Sequence, residues 1–187
     1  MGNYFVFECY GPEDQDRAAL RETVNEPAVH WNLGQRFTVA MPSPIEVHLD
    51  PEQPGLLMPM FERGILLMRD DVIATLNESG VDNLDLYPAV LVDLNTSERH
   101  ENYKAVNIIG LVRAADLSKS AYVARRDPPL IDTDFDKLAI DEAKAHDLPL
   151  FRLGECVSVK LIHRRVKENL EKRHPYLDFI EPENWTG

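Results

Sequence analysis

Hydrophobic and polar positions follow a similar order in two stretches of the chain, residues 65–88 and 159–182. Each stretch runs from a short apolar segment into the apolar spacing of an amphipathic helix, then through a turn into a second apolar segment. At one constant offset the matching pairs are Ile65 and Val159, Leu67 and Leu161, Val72 and Val166, Leu76 and Leu170, Leu86 and Ile180, and Pro88 and Pro182. One strand–helix–strand unit cannot bury its sheet face and its helix face alone, whereas two related units can cover each other. The pattern predicts an internal duplication; two unrelated helices of similar periodicity are the alternative.

Within the first copy, local signals predict where the elements begin and end. Residues 64–68 predict a strand, and Asp70 or Asp71 can cap the helix that follows. Gly80 stands where the end of a helix favours a left-handed residue. Residues 84–86 and 89–92 predict strands that Pro88 interrupts.

The other segments predict strands joined by long polar or proline-rich connections. Aromatic and β-branched runs predict strands at residues 3–10 and 103–112, with shorter extended pieces at 37–40, 138–140 and 148–155. Short helices are expected near residues 17–24 and 114–122. Residues 41–55 contain four prolines and predict an extended loop without regular structure. This irregular alternation predicts an α+β fold with few helices and a mixed or antiparallel sheet, as one domain over residues 1–187.

Composition and cysteine usage indicate an ordinary globular protein of the cytoplasm. The chain has 187 residues, of which 44% are hydrophobic and 28% charged, enough for a sizeable core. The first residues lack the basic-then-apolar order of a secretory signal, and no window has the roughly 20 apolar residues of a membrane span. Cys9 and Cys156 lie far apart and are expected to be reduced, buried thiols.

The net charge of −12 is concentrated in the first hundred residues, which hold 17 acidic and six basic residues. Such a field repels nucleic acid and anionic lipid, and it accelerates association with basic proteins. Simple solubility is the alternative explanation. The C-terminal basic run, KLIHRRVKENLEKRH, is interrupted by Glu168 and Glu171 and lacks interleaved aromatic residues. It is therefore expected to neutralise acidic groups within the fold or between protomers.

The pattern of reactive residues favours a binding protein without turnover. None of the six histidines has metal-ligand spacing, and the flanks of Cys156 lack a nucleophile elbow. Asp132, Asp134 and Asp136 alternate along an extended segment, but no glycine or closing glutamate completes a calcium loop. We therefore predict no catalytic residue, metal or cofactor. A small hydrolase or transferase that uses Asp132 and Asp134, and a self-assembling structural module, are the alternatives.

Several local patterns together resemble a family of bacterial immunity proteins encoded beside polymorphic and type VI secretion toxins. They are Trp31 followed by Phe37 and MPSPIEVHLD, the turn and strand GVDNLDLYPAVL, the segment NIIGLVRAADLSKS, then LPLFRLGE, and the closing VSVKLIHRRVKENLEK with YLDFIEPENW. Arg69 and His163 depart from the pattern, because a Ser-type cap is expected there. The resemblance covers residues 31–185 and implies a protein that binds and neutralises a cognate toxin in the cytoplasm. It implies no cofactor and no catalytic residue.

Charge and loop content together predict where such a partner binds. Recognition concentrates on loops held by a rigid scaffold, and the acidic excess lies in the first hundred residues. Trp31 is either an apolar anchor or a core residue under its loop. The partner is expected to be basic, with a nuclease as one candidate, and a homo-oligomer is compatible with the charge pattern. The predicted partner-binding residues are Trp31, Glu46, Asp50, Glu52, Glu62, Asp70 and Asp71.

Overall fold

A computed structural model describes residues 2–12, 15–21, 29–125 and 127–187. The elements are β1 (Tyr4–Glu8), β2 (Ile45–His48), β3 (Met60–Glu62), β4 (Leu66–Arg69), α1 (Asp70–Glu78), β5 (Leu84–Val92), β6 (Arg99–Ile108), β7 (Leu111–Val112), β8 (Ala121–Val123), β9 (Asp134–Lys137), α2 (Glu142–Ala145), β10 (Leu150–Leu153), β11 (Lys160–His163), α3 (Arg164–Glu171), β12 (Asp178–Ile180) and a 3-10 helix (Pro182–Asn184).

The strands form two five-stranded sheets and one two-stranded ribbon. The first sheet has the order β12-β1-β11-β10-β7, the second β2-β5-β6-β4-β3, and the ribbon consists of β8 and β9. Two pairs are parallel, β2 with β5 and β10 with β7, and the other pairs are antiparallel. The predicted α+β fold with mixed sheets and few helices is confirmed.

The two matching stretches form equivalent strand–helix–strand units. In the first, β4 and β5 both pair antiparallel with β6, which lies between them. In the second, β11 and β12 both pair antiparallel with β1. Each helix therefore connects two parallel strands separated by one inserted strand. Long-range pairing supplies that strand in both units, from β6 after the first copy and from β1 at the start of the chain.

The equivalence holds through the helix and fails by one residue at the second strand. Leu67 pairs with Ala105 and Leu86 with Val106, one position apart on β6. In the second unit, Leu161 and Ile180 both pair with Val6. A one-residue shift turns a strand's side chains to the opposite face. The predicted match of Leu86 with Ile180 is therefore wrong in register by one residue. Within β12, Ile180 packs against one core cluster and its neighbour Phe179 against another.

The matched prolines also occupy different structures. Pro88 lies inside β5, which continues from Leu84 to Val92 with an irregularity between Ala89 and Leu91. The expected break at Pro88 is wrong, because the strand accommodates the missing N–H beside this bulge. Pro182 instead starts the 3-10 helix.

Both helices begin at the same backbone conformation but with unexpected capping residues. The N-caps are Arg69 (φ −72°, ψ 147°) and His163 (φ −74°, ψ 144°). His163 Nδ1 accepts a hydrogen bond from the Arg165 N–H at 3.2 Å. Asp70 and Asp71 lie in the first turn of α1 rather than at its cap. In the first turn, their negative charge stabilises the helix by interacting with its dipole. Gly80 has a φ of 86°, as its position after the helix predicts.

The two units share one hydrophobic core. Val72 and Leu76 of α1, and Val166 and Leu170 of α3, are all completely buried in the same cluster. That cluster also contains Phe5 and Phe7 of the first sheet and Met68 and Val106 of the second. The helices contact each other, so the apolar faces of both units cover one another as the duplication predicts.

Other local expectations fail where pairing overrides propensity. Within residues 41–55, β2 forms a parallel ladder with β5, because Ile45–His48 lies between prolines and contains none. Residues 17 and 20 form extended bridges to Leu56 and Leu49, so no helix occupies residues 17–21; residues 22–24 lie outside the described chain. Residues 114–122 form a turn and the first part of β8, and residues 37–40 and 138–140 form no strand.

One buried histidine connects the two units. His174 is 4% exposed, and its Nε2 lies 3.0 Å from Thr75 Oγ1 of α1. The Thr75 hydroxyl donates to the Asp71 carbonyl at 3.0 Å, so His174 Nε2–H is the donor to Thr75. His174 Nδ1 has no hydrogen-bond partner among the described residues and lies 3.8 Å from Asp71 Oδ2. Burial lowers the pKa of His174.

The shared core predicts one cooperative unfolding transition. Replacing Leu76 or Leu170 with Ala should each cost about 2–5 kcal/mol, because each side chain is fully buried. Urea unfolding followed by circular dichroism and tryptophan fluorescence measures this, with the exposed Asn77→Ala as control. Two separated transitions in either variant would contradict a single core.

The stability of the folded protein should fall as the pH drops below the pKa of free histidine, about 6.5. Because folding lowers the pKa of His174, the unfolded chain takes up the proton first, so stability is full above about 6.5 and declines below it. The decline between about pH 7.5 and 5.5 should be smaller in His174→Asn than in the wild type. The exposed His146→Asn should keep the wild-type decline, and an equal loss of slope in both variants would oppose this assignment.

Candidate protein-binding surface

Five acidic side chains from two chain segments lie at one end of the second sheet. Glu46 lies on β2, Asp50 and Glu52 follow β2, and Asp93 and Glu98 flank the turn between β5 and β6. We call this set the acidic end. The segments are joined by hydrogen bonds: the Leu49 N–H donates to the Val92 carbonyl at 2.9 Å, and Asn95 Nδ2 donates to the Pro51 carbonyl at 3.0 Å.

Local turns fix the backbone of the acidic end. Asp93 Oδ1 accepts the Asn95 N–H at 2.8 Å, and Asp50 Oδ1 accepts the Glu52 N–H at 3.0 Å. Such aspartate turns preset the loop before any partner arrives. The bond from the Asn95 N–H lowers the pKa of Asp93, so this carboxylate stays ionised below its usual range.

One arginine partly offsets this charge. Arg99 Nη2 lies 3.1 Å from Glu46 Oε2, and His48 Nε2 lies 3.0 Å from Glu46 Oε1. Hydrogen bonds from His48 and Arg99 lower the pKa of Glu46. Leu94, 38% exposed in the same turn, adds an apolar side chain. The arrangement presents negative charge and one exposed apolar side chain on preset turns, which fits a basic protein surface.

The predicted residues Glu46, Asp50 and Glu52 therefore lie together, but the other predicted acids lie elsewhere. Asp70 pairs with Lys104 at 2.8 Å, and Asp71 accepts two hydrogen bonds from Arg69 at 2.7 and 2.8 Å. The segment containing them follows β4, which is separated from β2 by β5 and β6. The hydrogen bonds from Arg69 lower the pKa of Asp71.

Trp31 lies in the core rather than on the surface. It is 6% exposed, and its ring centroid is 4.8 Å from that of Phe37 and 5.7 Å from that of Tyr87, with both pairs edge-on. Of the two predicted roles, the structure places Trp31 as a core residue beneath its loop. An anchoring role would require the loop to open.

Glu62 belongs to a charged cluster that joins the two sheets. Its carboxylate, on β3 of the second sheet, is bound by Lys160 Nζ and lies 3.1 Å from Arg152 Nη2, both from the first sheet. Both basic side chains are at most 1% exposed, whereas the Glu62 side chain is 24% exposed. Glu8 Oε2 lies 3.5 Å from the same Lys160 nitrogen.

Electrostatics separates the two carboxylates of this cluster. Burial acts to raise the pKa of Glu62, but the charges of Lys160 and Arg152 outweigh it and hold that pKa below its usual value. Burial dominates at Glu8 and raises its pKa. The four charges nearly cancel, so Glu62 contributes little net charge to the surface.

Asp93, Glu98 and Leu94 were not among the predicted site residues. Their sequence, DLNTSE, reads as a polar turn, and nothing local distinguishes it from other solvated turns. The parallel pairing of β2 with β5 brings this turn beside Asp50. The strand β2 lies in the segment expected to be irregular, so sequence reasoning could not find this neighbour.

The remaining candidates have ordinary surroundings. Asp134 and Asp136 are exposed on β9 on either side of the buried Phe135, the solvated edge that their alternation predicts. In α3 and the turn after it, Lys167 pairs with Glu171 at 2.8 Å and Arg173 with Glu78 of α1 at 2.5 Å. The latter contact joins the basic run to an acid of the first unit, as expected for neutralisation within the fold.

The described part of the chain contains neither a metal-binding cluster nor a membrane-spanning helix. No group of three or more His, Cys, Asp or Glu residues there could hold a metal ion. No helix there is long and apolar enough to cross a membrane. Comparison of the sequence with protein-family models and with curated proteins found no match. The resemblance to immunity proteins therefore stays a prediction.

The contrast between Glu62 and Glu52 gives a stability test. Removing Glu62 leaves two buried cations without their shared partner, so Glu62→Ala should lower the free energy of unfolding by about 3 kcal/mol. Glu52 is exposed, and Glu52→Ala should change it by less than about 0.5 kcal/mol. Urea unfolding at neutral pH measures both. Equal effects would show that Glu62 does not couple the sheets.

Proposed function

We propose that this protein is an immunity protein that binds and neutralises a cognate toxin in the cytoplasm of the producing cell. The observation that supports the proposal most directly is the acidic end, where two adjoining segments carry five carboxylates and the exposed Leu94, and Arg99 pairs with Glu46. The acidic end includes three of the seven residues that the sequence predicts for partner binding.

The charge and shape of this surface suit an inhibitor of a basic enzyme. Complementary charge raises the association rate and suppresses wrong partners, which a protective protein needs before its toxin reaches a substrate. Toxins that act on nucleic acids present basic clefts to phosphates, so a nuclease is the partner class that fits best. Binding without turnover is part of the proposal.

The alternative of a hydrolase or transferase has one observation in its favour. Glu8 and Glu62 line one cavity, and their environments move their pKa values in opposite directions, as in many acid–base pairs. Both carboxylates, however, lie within salt-bridge distance of Lys160, which competes for the lone pairs that proton transfer needs. The pair predicted for this alternative, Asp132 and Asp134, does not line this cavity: Asp134 is exposed on β9, and Asp132 is half-buried and forms an isolated β-bridge with Cys156.

Self-assembly through α3 is the third reading. Exposed Arg165 and Lys172 leave basic charge on this helix, and an acidic end on a second copy could receive it. The mass in solution would then fall as salt is added.

Charge reversal at the acidic end tests the proposed function. The double variant Glu52→Lys with Glu98→Lys is used. Substitutions at Asp50 and Asp93 are avoided, because these side chains stabilise their turns through hydrogen bonds. With the cognate basic toxin that the proposed function requires as ligand, we expect association of the double variant to slow by about tenfold at low salt and to lose part of its salt dependence. Surface plasmon resonance and protection of toxin-expressing cells measure the effect.

The matched control is Asp134→Lys with Asp136→Lys, which changes the net charge equally on exposed β9 positions. The control should retain fast association, and melting temperatures of both variants should stay close to the wild type. Equal slowing in both variants would show that association depends on the net charge of the protein and not on the acidic end. Failure of the wild type to bind or protect would reject the immunity function itself.

A further inference from the structure

A cavity of about 280 Å³ lies beside the charged cluster that joins the sheets. Its walls come from the end of β1, from residues 17–20 and from β3. Cys9, Met58 and Met60 supply apolar surface, and Glu8 and Glu62 lie at its inner side next to Lys160. The volume matches the lower end of the range for small-molecule sites.

Two arginines at this cavity are held in place through backbone carbonyls. Arg17 Nη1 donates to the carbonyls of Cys9 and Tyr10 at 3.2 and 3.1 Å. Arg63 Nη1 donates to the Leu20 carbonyl at 2.7 Å. Neither guanidinium forms a salt bridge with another residue of the described chain. A guanidinium has five N–H donors, so each keeps several for another acceptor.

The two arginines that have no salt-bridge partner among the described residues at the cavity favour an anion. Glu8 and Glu62 are balanced by Lys160 and Arg152, and Arg17 and Arg63 add two positive charges. Two further described acids lie beside the lining residues: Asp178, whose Oδ2 accepts the Tyr10 N–H at 2.6 Å, and Asp16, which precedes Arg17 in the chain. The guanidinium groups of Arg17 and Arg63 are thus the charged groups of the described lining that have no salt-bridge partner, and their acceptor is expected to be an anion.

Arginine has the geometry for an oxyanion, since its planar donors match the two oxygens of a carboxylate or phosphate group. We propose that this cavity binds a small oxyanion-bearing ligand, with the anionic group between Arg17 and Arg63. Glu8 then accepts a hydrogen bond from a hydroxyl or amino group of the same ligand. This site is independent of the acidic end and of the proposed toxin.

Methyl NMR provides a local readout for this proposal. With the methionine methyl groups labelled, inorganic phosphate and succinate are titrated separately into the full chain near neutral pH. Met58 and Met60 line the cavity, so their signals should shift with a saturable dependence on at least one anion, while Met41 stays in place. The anion that saturates first distinguishes phosphate from carboxylate recognition.

Three substitutions at the cavity test whether the bound group is an anion. Arg17→Gln and Arg63→Gln should each weaken binding by about tenfold, because each removes a charge-assisted contact. Glu8→Gln should strengthen succinate binding several-fold, because succinate offers Glu8 no hydroxyl or amino donor and the substitution removes a negative charge beside it. Arg165→Gln, at an exposed position on α3, makes the same charge change far from the cavity in sequence and should leave binding unchanged.

Several results would overturn the proposal. Absence of saturable shifts with both anions would do so, as would equal weakening by Arg165→Gln. Free arginine is titrated as a cationic probe. If it binds more tightly after Arg17→Gln and no longer binds after Glu8→Gln, the cavity is a cation site instead. Arg63→Gln serves as the independent test if Arg17→Gln does not fold, which the amide spectrum reports directly.

Discussion

The mutual covering of two strand–helix–strand units is the constraint on which this structure depends. Each helix has one apolar face, and each pair of parallel strands has a gap that another strand must fill. The gaps are filled by β6 and by β1, and the helix faces meet in one core through Val72, Leu76, Val166 and Leu170. Neither unit could bury these surfaces alone. The chain therefore folds around a contact between residues nearly a hundred positions apart.

The charged cluster imposes a second, sharper constraint on how the sheets meet. Hydrophobic contacts tolerate small displacements, but a buried Lys160 and Arg152 require an acceptor at fixed positions. Glu62 supplies that acceptor from the opposite sheet. This ion network favours one relative placement of the two sheets, and its carboxylates Glu8 and Glu62 line the cavity that Arg17 and Arg63 also line. A structural requirement and a candidate ligand site thus share the same residues.

The acidic end shows how a surface can be assembled from weak local preferences. Its aspartates shape turns that any solvated loop could adopt, and its glutamates carry ordinary surface charge. The ladder between β2 and β5 turns these separate features into one surface, because it aligns the loop after β2 with the turn after β5. Proximity of the carboxylates gives the surface its field, and preset turns lower the ordering cost of binding. Both properties suit a proposed role in fast capture of a basic partner.

The sequence by itself determined the features that depend on periodicity and composition. It predicted the repeated unit, the buried faces of both helices, the left-handed Gly80, the mixed α+β class and the acidic character of the first hundred residues. Local preference is enough for these, because side-chain spacing decides which face a helix buries. Only the tertiary structure decided which strand fills each gap, the one-residue difference in register at Ile180, and the partners of Glu62. It also placed Trp31 in the core and Asp93 beside Asp50. These outcomes depend on pairing between distant segments, and the sequence of either segment alone does not determine the geometry of that pairing.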